Sequence, residues 1–182
     1  CTCRVQNKLI GQACEHTVKN CLVFSSKPGA FQKTEEIETI TLEKALEILA
    51  EADREGLVHS VNNAQKEVYY VCNCCTCSCG VLRGMVEYGS ENSIARSDFY
   101  AVVDPDLCTA CEACLDRCAF NAMSMDSGLC EVDKAACYGC GLCINSCETG
   151  ALSLLQKSPE ELAPPPEDEE AWRRVRAAFR KN

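Results

Sequence analysis

No stretch of this chain stays apolar for more than a few residues, far short of the roughly 20 that a membrane-crossing helix needs. No basic-then-apolar leader precedes it either. A chain with neither feature is expected to lack a membrane span and to work in the cytoplasm. It begins at Cys1 rather than at methionine, as a processed or partial sequence would. Also missing are a G-x-G-x-x-G turn, a Walker A loop, and any pattern of a catalytic triad, an acid–base pair or a flavin site. Basic charge is scarce: 18 Lys and Arg stand against 27 Asp and Glu, for a net charge of −9. That balance argues against nucleic acid as a partner, because phosphates favour basic surfaces. It suits docking onto the basic patch of a larger redox protein. Apolar residues are scarcer than the summary figure implies. They make up 47% of 182 residues, but 18 of them are cysteine, and setting those aside leaves about 37%. A core that thin needs cross-links or metal to hold it.

What the chain has in abundance is thiol. Without an export signal a disulfide framework is not expected, and dense cysteines in a reducing compartment point to metal. Exposed thiolate clusters are oxygen-sensitive, which fits an anaerobe. The half-chain from 99 carries the sharper pattern. Residues 108–118, "CTACEACLDRC", read C-x2-C-x2-C-x3-C, and 137–147, "CYGCGLCINSC", repeat that spacing 29 residues later. Three thiolates at a spacing of two wrap one cube, and the fourth faces the sister cube. In such repeats the last cysteine of each run serves the other run's cluster. The expectation is a cluster I on Cys108, Cys111, Cys114 and Cys147, and a cluster II on Cys137, Cys140, Cys143 and Cys118. Structural zinc prefers two separated C-x2-C pairs, so four thiolates in one run, twice over, is a poor zinc pattern.

The segments "YAVVDPDLCTACEACLDRCAFNAMSM" and "CEVDKAACYGCGLCINSCETGALSL" resemble the bacterial two-cluster ferredoxins. The likeness covers residues 99–156 and implies two [4Fe–4S] clusters, with a cluster loop, a helical turn and strands in each half related by a pseudo-twofold. Gly139 and Gly141 fit where backbone approaches sulfide. Two positions depart from the family, which has proline after each fourth cysteine; Ala119 and Glu148 stand there instead. Ligation is unaffected, but Glu148 either lowers the potential of the cluster beside it or simply faces water.

Nine more cysteines lie upstream: Cys1, Cys3, Cys14 and Cys21, then Cys72, Cys74, Cys75, Cys77 and Cys79 in "VCNCCTCSCG". Thiols returning from distant segments are expected to close one site, with "CTCR" facing "CNCCTCSC". The C-x-C and C-C steps are similar to metallothionein-like zinc or copper clusters and also serve irregular iron–sulfur loops. Neighbours such as Cys74 and Cys75 point to opposite sides of an extended chain, which favours two centres or one large one. Nine thiols are enough for a further iron–sulfur cluster, for zinc, or for both. "CTCR", "CLVFSSKPGA", "LEKALEILAEADREGLVHS" and "VCNCCTCSCGVLR" are together similar to extended iron–sulfur proteins of anaerobes, a likeness over 1–83 that implies electron transfer without a specific reaction. The Cys74-Cys75 pair lacks the glycine of the CCG motif of heterodisulfide reductases, having Thr76 instead. His16 and His59 are further candidate ligands, each set against ordinary packing or solvation. Cys130 is expected to be a small packed residue.

The expected class is α+β: a ferredoxin-like dicluster domain with a pseudo-twofold repeat over 99–156, and a cysteine-rich metal-binding domain with one main helix over 1–98. An acidic Pro-rich linker and a C-terminal helix over 157–182 complete the chain. Residues 1–35 are expected to be mostly loop with a short strand at "CLVF". Helix 39–55 presents Leu42, Ala45, Leu46 and Leu49, is capped by Thr41 and is stopped by Gly56. A strand follows at Val68–Val71, then a connector over 81–98, and "FYAVVD" opens the last module as a strand. "APPPEDEE" reads as a stiff spacer. The final helix shares Trp172, Val175 and Phe179 on one face, for packing rather than a cofactor. The leading function is electron transfer to or from a larger oxidoreductase. Its rivals are a redox enzyme whose upstream cluster binds substrate, and a structural zinc site that braces a docking surface.

Overall fold

The computed structural model describes residues 1–32, 34–90 and 93–179, without the side chain of Phe179. Among these residues the protein mixes five helices with small antiparallel sheets. They form two units, one of residues 1–55, 59–74 and 164–182, the other of 56–58 and 75–163.

In the first unit, α1 (Thr2–Leu9) replaces the expected loop. Its one buried residue is Arg4, a charged anchor that hydrophobic periodicity does not register. β1 (Leu22–Val23) lies within the expected "CLVF" strand. α2 (Leu42–Arg54) starts as its sequence dictates, with the Thr41 hydroxyl accepting the Lys44 N–H at 3.2 Å. It stops at Gly56, whose φ of 78° is the left-handed conformation glycine supplies cheaply. The buried face differs from the expected stripe. Ala52 is buried and Ala45, Ile48 and Leu49 are half-buried, whereas Leu42 and Leu46 are 70% and 56% exposed. β2 (Val58–Val61) occupies what was expected as a turn. β3 (Tyr70–Cys74) begins two residues after the expected Val68 and runs into the cysteine knot. The strands lie in the order β1-β3-β2, with Leu22 opposite Val71 and Val23 opposite Tyr70.

The proline-rich segment is fastened rather than free in this unit. Gln65 and Lys66 donate their backbone N–H groups to Pro166 O and Glu167 O, both at 3.0 Å, and Gln65 Nε2 donates to Pro165 O at 2.7 Å. α5 (Glu169–Phe179) follows, its Ala171 N–H accepted by Asp168 Oδ1 at 2.7 Å. Trp172 is half-buried under the Arg176 guanidinium, while Val175 is exposed. The Phe179 side chain, expected on that same face, lies outside the described residues. The buried set of this unit is Leu22, Ala52, Ala64, Arg4, Asn20, Asn62 and Asn73, so polar side chains outnumber apolar ones.

In the second unit the expected connector holds α3 (Gly80–Tyr88), which buries Leu82 and Met85 and ends at Gly89 in the left-handed region. Glycine at 80 and 84 hides this helix from propensity, since each costs about 1 kcal/mol relative to alanine. β4 (Phe99–Val103) then pairs with β7 (Leu152–Gln156) over five positions, and β5 (Met123–Ser124) pairs with β6 (Glu131–Val132). A short helix, α4 (Ala113–Arg117), lies between β4 and β5. The 29-residue repeat of the cysteines is also a repeat of register. Val102 pairs with Ser153 and Val103 with Leu152. Moving each residue by 29 gives Glu131 with Ser124 and Val132 with Met123, which are the pairs observed. One cluster of eight buried residues in this unit is half cysteine: Cys114, Cys130, Cys137 and Cys143.

Candidate metal centres

The two cysteine loops of the second unit are shaped by the same local bonds, 29 residues apart. Asp104 Oδ1 accepts the N–H of Asp106 at 3.0 Å, and Asp133 Oδ1 that of Ala135 at 2.8 Å. These Asx turns set the chain up for its first cysteine. The Cys118 N–H donates to Leu115 O and the Cys147 N–H to Ile144 O, both at 3.1 Å. Left-handed backbone recurs in register: Ala110 with Gly139, Glu112 with Gly141, Asn121 with Gly150. Alternating left- and right-handed residues coil a loop so that its side chains turn to one side. The first loop does this with ordinary residues, at a cost in strain, and the second with glycine.

Gly139 has a further reason to be glycine. A Cβ built there would lie 2.0 Å from Phe99 O and 3.0 Å from Ser97 Cβ. At Gly141 the nearest atom would be Leu154 Cδ1 at 3.4 Å. The start of β4 thus constrains position 139, and both Gly139 and Gly141 line the cavity beside Cys137, Cys140 and Cys143.

Each loop walls a small cavity that is part open to solvent. One is lined by Cys108, Cys111, Cys114 and Cys147, together with Cys130. The other is lined by Cys137, Cys140, Cys143 and Cys118. Each wall therefore joins three cysteines of one run to the last cysteine of the other. The remaining lining is mostly apolar, with Val103, Met125 and Leu152 on one side and Ala101, Phe120 and Leu154 on the other. Burial first, and then charge on Cys140, Cys118 and Cys137, pushes the Cys143 thiol up to about 12. Four thiols crowded in a low-dielectric pocket resist ionisation together, and a bound cation reverses that. Burial also acts upward on Cys147. Bonds from the Thr149 hydroxyl and from the backbone of Leu152, Ala151 and Thr149 outweigh it and leave this thiol below its ordinary value. Ala122 N–H likewise donates to Cys118 Sγ at 3.3 Å. Glu148 is exposed. Arg96 lies over the ring of Tyr138, 4.2 Å from its centroid, and its Nη1 donates to Cys137 O at 3.0 Å.

In the first unit the upstream thiols gather around a buried polar network that the sequence did not announce. Arg4 Nη1 donates to Thr17 O at 3.0 Å and to Asn20 Oδ1 at 2.9 Å, and Nη2 donates to Asn73 O at 3.1 Å. Asn73, fully buried, donates from Nδ2 to Asn20 O and bonds His59 Nδ1 through Oδ1 at 2.6 Å. Arg4 of "CTCR" thus bonds Asn73 of "CNCC". The antiparallel register sets Cys21 opposite Cys72. The hydrogen bond from Cys21, then that from Cys74, draws the Cys72 thiol well below its ordinary value, while the same contact raises Cys21. Cys1, Cys3 and Cys14 are half-buried in this unit. Cys75 and Cys79 are buried in the second unit, and Cys77 is exposed there. His16 Nδ1 lies 3.4 Å from Glu55 Oε2, so each histidine has one ring nitrogen occupied by a neighbour.

All eighteen cysteines stand as thiols rather than in disulfides. A donor set of clustered soft thiolates fits metal. Among the described residues, no helix is long and apolar enough to cross a membrane. A scan against models of known protein families finds no match to this chain, and a search of the curated proteins finds none either.

Proposed function

We propose that the protein is an electron carrier built around two [4Fe–4S] clusters, relaying low-potential electrons to or from a larger redox partner in a reducing compartment. One observation carries this reading: each of two cavities is walled by three cysteines of one C-x2-C-x2-C-x3-C run and the final cysteine of the other. That is the ligand exchange expected of paired cubanes. Cys108, Cys111, Cys114 and Cys147 would hold one cluster, and Cys118, Cys137, Cys140 and Cys143 the other. The clusters supply the one-electron chemistry. The chain contributes thiolate ligands, N–H groups aimed at Cys118 and Cys147, apolar walls that limit water, and an acidic surface for docking. Cys21, Cys72 and Cys74, gathered beside the Arg4–Asn73 network, provide part of a further iron–sulfur or zinc centre. Iron, sulfide and zinc quantitation on anaerobically prepared full chain, with EPR of the reduced protein, tests the reading. At least about eight irons per chain are expected, and fewer rejects it. Zinc near one per chain assigns the upstream thiols to zinc, and additional iron assigns them to a third cluster.

A further inference from the structure

The cavity of the first loop holds five sulfurs where a cubane uses four. The fifth is Cys130, which lies outside both cysteine runs and immediately before β6. Its Sγ is 3.4 Å from Cys114 Sγ and shares a hydrogen bond with it. Its other neighbours are Met123 Sδ at 3.7 Å and its own chain at Glu131 O, 4.0 Å away. It is buried, and the second cavity has no fifth cysteine in its wall. Packing alone does not call for a sulfur at this position. A thiol pointed at a ligand sulfur has chemistry of its own.

Two sulfurs 3.4 Å apart can both reach one metal ion through bonds of about 2.3 Å. We propose that Cys130 is a reserve ligand for the position served by Cys114, and that while Cys114 is bound it positions that sulfur through the shared hydrogen bond. This inference rests on the two-cluster reading above. In the exchange, the bond from iron to Cys114 Sγ breaks and the bond from iron to Cys130 Sγ forms. The Cys130 thiol proton passes to Cys114, and no electron is gained or lost. The device is confined to the first cavity, so the two sites differ in their tolerance of ligand loss even though their backbones repeat.

The test compares anaerobically reconstituted full-length wild type, Cys114→Ala, Cys130→Ala, Cys114→Ala/Cys130→Ala and Cys111→Ala by iron and sulfide content and by EPR after reduction. Cys114→Ala is expected to keep the wild-type iron with an altered EPR line shape. The double variant and Cys111→Ala, which has no spare sulfur to call on, each lose about four irons, one cubane. Cys130→Ala keeps its iron. If Cys114→Ala loses as much iron as the double variant while wild type holds its full complement, the reserve role is overturned and the two-cluster reading survives. Loss of four irons from Cys130→Ala alone also overturns it. Wild type with fewer than about eight irons overturns both. Should Cys114→Ala not fold, the near-isosteric Cys114→Ser is compared with Cys114→Ser/Cys130→Ala, and equal iron with identical EPR in that pair overturns the inference.

Discussion

Replacing Gly139 with alanine probes the close approach of the second cysteine loop to the start of β4. The new methyl would sit 2.0 Å from the carbonyl oxygen of Phe99 and 2.8 Å from its carbon, both backbone atoms of the first residue of β4. No rotamer relieves that overlap, so either the loop or the strand has to move. Two costs add. A left-handed φ of 67° costs an L-residue about 1–2 kcal/mol. Forcing a methyl into packed backbone costs about 1–3 kcal/mol more. The expected loss is therefore about 2–5 kcal/mol, a large part of the stability of an ordinary domain. The repeat provides an internal control. Ala110 occupies the same place in the first loop with φ 53° and already carries its methyl. Ala110→Gly relieves strain but frees the unfolded chain, and the two effects cancel to within about 1 kcal/mol. Denaturant unfolding of the anaerobic, metal-loaded chain, followed by circular dichroism and visible absorbance, gives both numbers. On the proposed function, Gly139→Ala should also lose iron from one cluster while Ala110→Gly keeps both. A Gly139→Ala protein with wild-type stability and iron content would refute the packing argument outright.

Arg96 places a cation beside Cys137, so Arg96→Gln is expected to lower the potential of the cluster proposed there by an amount on the order of 1 kcal/mol; an unchanged potential in an EPR-monitored redox titration removes Arg96 from that role. Arg4 satisfies three acceptors, two of them buried, from two nitrogens. Lysine lacks that fork, so Arg4→Lys should cost about 3 kcal/mol or more in thermal unfolding, and a wild-type melting temperature would count against the network. Burial acts to raise the Glu55 carboxyl, but bonds from the Thr17 hydroxyl and N–H and the nearby His16 bring it below its ordinary value. Its contribution is therefore fully present above the ordinary carboxylate pKa of about 4.3 and is lost as the pH falls through the lower folded value. The stability gap between wild type and Glu55→Gln should close as the pH falls below about 4.3; a gap that persists undiminished in acid would contradict this.

How far the sequence could be read depended on whether a segment's organising residues were apolar or polar. α2 was legible because Thr41 and Gly56 cap it by rules that need no partner. Its buried face was less so: Leu42 and Leu46 promise burial, yet the neighbours it meets favour Ile48 and Ala52. α1 was not legible at all, because its anchor is a buried arginine, and patterning rules count arginine as a surface residue. The same holds for Asn20 and Asn73. The only hint was position, since Arg4 and Asn73 each sit inside a cysteine motif, where a polar residue must either face solvent or find partners. The 29-residue repeat was visible in the cysteines, and the repeated register and turns follow it. What the spacing did not show was that one loop obtains its left-handed turns from glycine while the other forces Ala110, Glu112 and Asn121 into them.

That asymmetry bears on how the protein is held together. The buried cluster between the second unit's two cysteine loops is half thiol, and four thiols around one pocket repel as they ionise, as the raised Cys143 indicates. The first unit buries more polar than apolar side chains, and Arg4 and Asn73 join its buried polar groups. Apolar burial is thin in both units, and on the proposed function metal binding supplies part of the folding free energy. The strain in the first loop, about 1 kcal/mol or more at each of three left-handed residues, then sets a minimum on what its ligand must return. The second loop, with glycine at all three places, carries no such debt. The first loop should therefore lose its order sooner when metal is withdrawn, and it is the loop whose cavity holds a fifth sulfur.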